Sequence, residues 1–296
     1  MDGHHHHHVY GQAAESRVLV FSIALNMLYV VVEAAVGLHE GSLSLLSDAG
    51  HNLGDVFALA LVLVSFRLCK IRPTKRFTYG LKKSTVLISL ANALLLTAAV
   101  AAIIIEAVRK CRCPVDVNGA AVSWTALVGI IVNGLTVILL TWGQKKDLNI
   151  RGAFLHMLAD TLVSAGVVIS GIAISLTGIS LIDPLVSLAI AAVIIVSTWK
   201  LLRESVTLAL DGTPEGVDVD DIERTIRKCR GVKDVHHLHI WAISTTVNAL
   251  TAHVLITDTD TLDETKSEIR RRLAEKGIAH VTIEMETHSC GCAECV

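Results

Sequence analysis

Two copies of one short pattern carry most of the chemistry that this sequence offers. His51 and Asp55 are four residues apart, and so are His156 and Asp160. On a helix that spacing sets an imidazole and a carboxylate on one face, a single turn apart. Two such helices facing each other would present two imidazoles and two carboxylates to the space between them. Tetrahedral Zn²⁺ accepts that set, whereas Mg²⁺ and Ca²⁺ prefer all-oxygen shells and Cu⁺ prefers sulfur. Asp48 shares the face of His51 and Asp55. It either orients His51 as an outer hydrogen-bond acceptor or caps the start of its helix near Ser47. Read blandly, the His and Asp residues are polar contacts between helices. A single HxxxD would favour that reading, but two copies in separate apolar stretches argue against it, because ionisable groups there are costly and rare.

The stretches that must position these residues are unusually apolar. Of the 296 residues 52% are hydrophobic and only 18% charged, with a mean hydropathy of +0.57, well above that of soluble domains. A net charge of −2 lacks the basic excess of a nucleic-acid partner. Six runs are long enough, at about 1.5 Å per residue, to cross a hydrocarbon core of about 30 Å. They extend from Val18 to Leu38, Ser44 to Phe66, Thr85 to Val108, Val122 to Trp142, Ala153 to Leu176 and Ile182 to Leu202. The first lacks a small-residue cleavage site and is expected to stay in the mature protein. Asn26, Glu33, Asn52, Asn92 and Asn133 within these runs suit hydrogen bonds between helices. Glu33 also suits a proton or ion path.

Charges are sparse to about residue 200 and dense beyond it, so a six-helix membrane domain over 17–210 is expected between an N-terminal segment, 1–16, and a polar domain, 211–296. Basic residues flanking the runs set the orientation. With the N-terminus inside, thirteen fall on the inner face: Arg17, the loop between Arg67 and Lys83, Lys145 to Arg151, and Lys200 with Arg203. The outer face holds three, Arg109, Lys110 and Arg112. Six crossings then return the polar domain to the cytoplasm. That domain reads as helix from Val219 to Lys228, strands from Val235 to Ile243 and Val247 to Ile256, helix from Leu262 to Glu275 and strand from Val281 to Glu286. The αββαβ order predicts a small sheet covered on one face by two helices.

The run GSLSLLSDAGHNLGD from Gly41 to Asp55, the second HxxxD, and HxLHIW from His236 to Trp241 together resemble the cation diffusion facilitator family, over about Arg17 to Glu286. The resemblance implies a homodimeric metal/proton antiporter embedded in lipid, with six helices per subunit and a metallochaperone-like cytoplasmic αββαβ domain. It implies that His51, Asp55, His156 and Asp160 correspond to the transport site of zinc-selective members. Manganese- or iron-type members tend to have Asp where His51 stands. The loop Leu68 to Lys83 contains no His, Asp or Glu, so the extra site that some members hold there is not carried over.

In the cytoplasmic domain the resemblance sets His236, His253, His280 and Glu286 on zinc-binding positions, which makes Zn²⁺ a structural or regulatory ion as well as the cargo. The tail HSCGCAECV adds Cys290, Cys292 and Cys295 and is similar to the terminal CxxC of some animal zinc transporters. In a reducing cytoplasm these stay thiols and bind zinc as thiolates. Cys292 and Cys295 are the expected contributors, while Cys290 is a ligand or a bystander. Strand alternation puts His237 and His239 on the face opposite His236, as ordinary strand residues. His4 to His8 read either as a tag or as a metal-collecting segment. Cys111 and Cys113 are too close in sequence for a relaxed disulfide.

The expected mechanism is alternating access, in which metal and protons compete for the same His and Asp groups. An intramembrane metalloenzyme would need an open coordination position and a general base; no HExxH occurs, and four protein ligands would close the site. A non-transporting sensor would have no need of both intact HxxxD motifs. The loop from Gly143 to Gly152 lacks a histidine-rich insertion of the kind typical of vesicular zinc transporters, which points to a prokaryotic plasma membrane. His51→Asp is expected to weaken the preference for Zn²⁺ and admit harder ions such as Mn²⁺, because the shell becomes richer in oxygen. Competition flux assays read this directly, and an unchanged metal ranking would mean that geometry rather than ligand type sets selectivity.

Overall fold

A chain segment in lipid must satisfy its own backbone, so apolar runs of this length become helices. The computed structural model describes residues 6–40, 43–112, 119–179 and 181–288. It contains α1 (His6–Glu40), α2 (Leu43–Cys69), α3 (Ser84–Arg112), α4 (Gly119–Leu140), α5 (Leu148–Thr177) and α6 (Ile182–Ala209). Five of these are long and apolar enough to cross a membrane, and α4 carries the shorter apolar run Leu127–Leu140 among the described residues. Phe57, Ile105, Ile138 and Val196 are exposed on the outside of the bundle, where lipid rather than water is their natural solvent.

Of the helices that extend past their apolar runs, α5 and α6 do so for polar reasons. α5 starts at Leu148, ahead of the apolar run at Ala153, because Asp147 Oδ1 accepts from the backbone N–H of Asn149 at 2.7 Å and of Ile150 at 3.4 Å. α6 continues past Leu202 to Ala209, and its extra turns carry Glu204, which accepts from Arg151 Nη1 at 2.9 Å and ties α6 to α5.

α5 is the centre of the bundle, packing against α2, α3, α4 and α6. Its residues enter two apolar cores: Leu155 and Ala159 meet Leu96, Val100 and Ile194 of α3 and α6, while Ala153 and Met157 meet Leu19, Leu59, Val62 and Leu140 of α1, α2 and α4. Gly166 permits the close approach of α6, since a Cβ there would lie 2.5 Å from Ile190 Cδ1. Small residues at such crossings let helix backbones approach in lipid, where no hydrophobic drive between helices exists.

The C-terminal domain has the expected order: α7 (Val219–Arg227), β1 (Val232–Ser244), β2 (Val247–Ile256), α8 (Leu262–Glu275) and β3 (Ile278–Glu286). α7 begins where Asp218 accepts from the N–H groups of Asp220 and Asp221, an N-cap strengthened by acidic residues in the first turn. The sheet order is β1-β2-β3, with β1 antiparallel to β2 and β2 parallel to β3 across the α8 crossover. Ile222 and Ile226 of α7 and Ile269 and Leu273 of α8 bury against Leu250, Val254, Ile278 and Ile283 of the sheet.

Polar contacts join the two parts. Lys83, just before α3, donates to the carbonyls of Leu208 at 2.8 Å and Ala242 at 3.1 Å and to Asp211 Oδ1 at 2.5 Å. The turn between β1 and β2 reaches the bundle through Thr245, whose N–H donates to Thr85 Oγ1 at 3.0 Å and whose hydroxyl donates to Asp147 Oδ2 at 2.7 Å. Burial pushes the Asp147 carboxyl up, while the bonds from Thr245, Asn149 and Ile150 favour its ionised form. Thr245→Val removes one of the donors to this carboxylate, which is only 4% exposed. Leaving a buried acceptor short of a partner costs about 1–3 kcal/mol, so the melting temperature of the protein in detergent should fall, whereas the exposed Thr259→Val should leave it unchanged. Equal melting of the two variants would mean that this bond does not hold the domains together.

Candidate metal site

The expected ligand set divides between α2 and α5, and the structure brings these helices into contact. Asp55 lies 1% exposed on α2. His156 of α5 faces it with Nε2 at 2.8 Å from Asp55 Oδ1, a distance at which the ring N–H donates to the carboxylate. The same Nε2 lies 3.9 Å from Asp160 Oδ2, one turn further along α5. Ligand atoms of Asp55, His156 and Asp160 all fall within 4.8 Å of one another.

A zinc ion with nitrogen and oxygen ligands at about 2.0–2.2 Å sets neighbouring tetrahedral ligand atoms about 3.3–3.6 Å apart. The observed 2.8 Å and 3.9 Å bracket that value, so the donor set fits such an ion with shifts of about half an ångström. Two carboxylates in an apolar bundle also match a divalent charge, which would offset the cost of burying them. His51 stands on α2 one turn before Asp55, and its side chain lies outside the described residues, as does that of Asp48.

Polar residues next to the site form the interhelical bonds expected of them. Glu33 of α1 accepts from Asn52 Nδ2 of α2 at 2.8 Å and from the Tyr29 hydroxyl at 3.0 Å. Asn26 Nδ2 donates to Thr136 Oγ1 of α4 at 3.0 Å. Asn92 and Asn133 are buried, but among the described residues neither makes the interhelical bond expected of it.

In the C-terminal domain one residue from each strand meets at a second cluster. His236 of β1 pairs opposite His253 of β2, and Glu286 closes the group from β3. Glu286 Oε1 lies 2.6 Å from His253 Nδ1, and its Oε2 lies 3.3 Å from His236 Nε2. His280, expected with them, is elsewhere. It precedes Glu286 by six residues on the same strand, or about 20 Å at roughly 3.3 Å per residue, and its ring packs edge-on against Tyr79, 5.4 Å between centroids.

Strand alternation also fails at His237. The register runs from His236↔His253 to His239↔Thr251, so β1 holds one residue more than β2, and His237 adopts φ 48°. This bulge turns the chain so that the His237 ring comes 5.0 Å from that of His253 and 5.6 Å from that of His236, rather than lying on the far face. His239 remains exposed. Nothing in HHLHIW announces the bulge, since a left-handed residue is usually signalled by glycine. Cys290, Cys292 and Cys295, His4 and His5, Cys113, and the side chains of His6 to His8 and Cys111 lie outside the described residues.

Comparison with known proteins agrees with this architecture. The cation efflux transmembrane domain matches residues 19–208, and the cation efflux protein cytoplasmic domain matches residues 214–288. A cadmium, cobalt and zinc/H⁺-K⁺ antiporter of Bacillus subtilis is 36% identical, covering 97% of this chain and 93% of its own. The metal cation efflux system protein CzcD of Cupriavidus metallidurans is 34% identical, over 97% and 91%. The zinc transporter ZitB of Escherichia coli is 33% identical, over 99% and 95%. A solved metal-bound C-terminal domain of the CzcD transporter is 41% identical and covers 24% of this chain and 99% of its own, with a TM-score of 0.22.

Proposed function

The chain belongs to the cation efflux family, a family of membrane metal transporters and not of enzymes, and from that premise we propose that it exports Zn²⁺ from the cytoplasm in exchange for protons. The observation that carries this reading is the meeting of Asp55, His156 and Asp160 between α2 and α5, inside an apolar bundle. With His51 one turn before Asp55, the transport site is a His2Asp2 set. Relatives named for zinc, cadmium and cobalt transport support the metal class, and the naming of one as an antiporter with H⁺ supports the counter-ion.

In this proposal the metal binds from the cytoplasm when the ligands are deprotonated, and protons from the far side displace it after the bundle rocks outward. The contact of His156 Nε2 with Asp55 Oδ1 supports that exchange, because a proton held between ring and carboxylate occupies the same lone pairs as the metal. Alternation requires α2 and α5 to change their relation to the rest of the bundle, and α5 touches every helix except α1 through its principal contacts.

The protein is proposed to be a homodimer in a prokaryotic plasma membrane, with both termini cytoplasmic. Residues 17–210 are its membrane domain and 211–296 its regulatory and dimerisation domain. The family description of residues 214–288 as a cytoplasmic domain supports that side of the membrane. The cluster of His236, His253 and Glu286 is proposed to bind Zn²⁺ as a regulatory ion, with Cys292 and Cys295 of the tail contributing.

Purified protein in liposomes should carry Zn²⁺ against an opposing proton gradient. Asp55→Ala and Asp160→Ala should each reduce flux beyond the roughly 10- to 100-fold typical of losing an outer partner of a ligand, with the folded protein retained. Wild-type rates in either variant would overturn the site, and flux unchanged by collapsing the proton gradient would overturn the antiport.

A further inference from the structure

We propose that His237, rather than His280, supplies the third imidazole of the C-terminal cluster, so that each protomer presents His236, His237, His253 and Glu286 to a zinc-class divalent cation. This deepens the reading of that cluster as a metal site and rests on it.

The ring geometry carries the argument. Zinc binds imidazole nitrogen at about 2.0–2.1 Å, so each ring centre lies about 3.2 Å from the ion, and two such centres at a tetrahedral angle lie about 5.2 Å apart. The three rings form a triangle with sides of 5.4 Å from His236 to His253, 5.0 Å from His237 to His253 and 5.6 Å from His236 to His237. All three sides fall within about 0.4 Å of the tetrahedral value; ligand atoms of His236, His253 and Glu286 already lie within 4.8 Å of one another, and the His237 ring has to turn about its side-chain bonds to bring a nitrogen to the same ion. Their planes are tilted by 51°, 45° and 59°, which is not the parallel arrangement of stacked rings. Glu286, with its side chain 11% exposed, already reaches two of the three rings.

The backbone points the same way. φ 48° at His237 is a left-handed conformation that is disfavoured for a residue with a Cβ. Without the bulge, alternation would send His237 to the opposite face of the sheet. The left-handed residue therefore puts two consecutive histidines beside the same partner, an arrangement that a regular strand cannot make. Strain of this kind gathers at functional sites. His280 has no comparable route to the cluster of its own protomer, because it is fixed on the same strand as Glu286 and well away from it.

The test uses the full-length protein in detergent, with His4 to His8 replaced by alanine so that they do not take up the probe and in an Asp55→Ala, Asp160→Ala background that removes the membrane site. Co²⁺ serves as a spectroscopic probe, since four-coordinate Co²⁺ absorbs far more strongly in the visible than six-coordinate Co²⁺, and Zn²⁺ affinity is read by calorimetry. His237→Asn is the informative substitution, because Asn tolerates the left-handed region and preserves the bulge while removing the imidazole. It should lower Zn²⁺ affinity by roughly tenfold or more and weaken the four-coordinate Co²⁺ bands, as should His253→Ala. His280→Ala should change neither. Circular dichroism and melting of the metal-free variants establish that the fold is retained, and His237→Gly, which also accepts this φ, serves if His237→Asn misfolds. Full affinity in His237→Asn with loss in His253→Ala would overturn the role of His237 while leaving the cluster a metal site. Full affinity in both would overturn the metal site itself, and this proposal with it.

Discussion

A carboxylate buried in an apolar helix bundle must be matched by the side chains packed around it. Asp55 is 1% exposed, and an isolated buried anion is far more costly than any single packing contact can offset. It is tolerated because His156 bonds to it from α5, while Asp160, one turn further on, adds a second carboxylate whose charge calls for protons or a divalent ion in the same space. Those partners require α5 to be held firmly against α2, and the two apolar cores that meet on α5 do this: Ala153 and Met157 fix one side, Leu155 and Ala159 the other. The polar residues alternate with this packing along a single helix. The same low dielectric that makes the group costly also makes it respond strongly to a divalent ion or to protons.

The start of α5 is set from outside the bundle. Asp147 caps the helix and is itself bonded by Thr245 from the turn between β1 and β2. The two strands that end at this turn carry His236 and His253 further along. One hairpin thus contacts the helix of the membrane site at its tip and builds the histidine cluster in its body. Lys83 makes a second tie, joining the start of α3 to the end of α6 and to β1.

Much of this was legible in the sequence because it follows from periodicity and length. The six apolar runs give six helices, and αββαβ gives the sheet and its two covering helices. The HxxxD spacing puts each His and Asp on one face of its own helix, and the packing of α2 on α5 then brings Asp55 to His156. What was not legible depends on local backbone events or on distance along an extended strand. Alternation puts His237 away from His236, and a single left-handed residue reverses this. His280 was placed with Glu286 by resemblance, yet a strand carries residues six positions apart far from one another, and His280 meets Tyr79 instead. The early start of α5 depends on Asp147, which sequence reading assigned to a loop.

In the proposed transport site one Zn²⁺ binds between α2 and α5 with two imidazoles and two carboxylates. Zinc K-edge X-ray absorption tests it most directly, on protein loaded with one equivalent after the C-terminal cluster, its cysteine tail and the histidines His4 to His8 have been removed. A His2Asp2 site gives four nitrogen and oxygen neighbours at about 2.0–2.2 Å, with multiple scattering from two imidazole rings and no sulfur. A six-coordinate oxygen shell, or a shell without imidazole scattering, would contradict it.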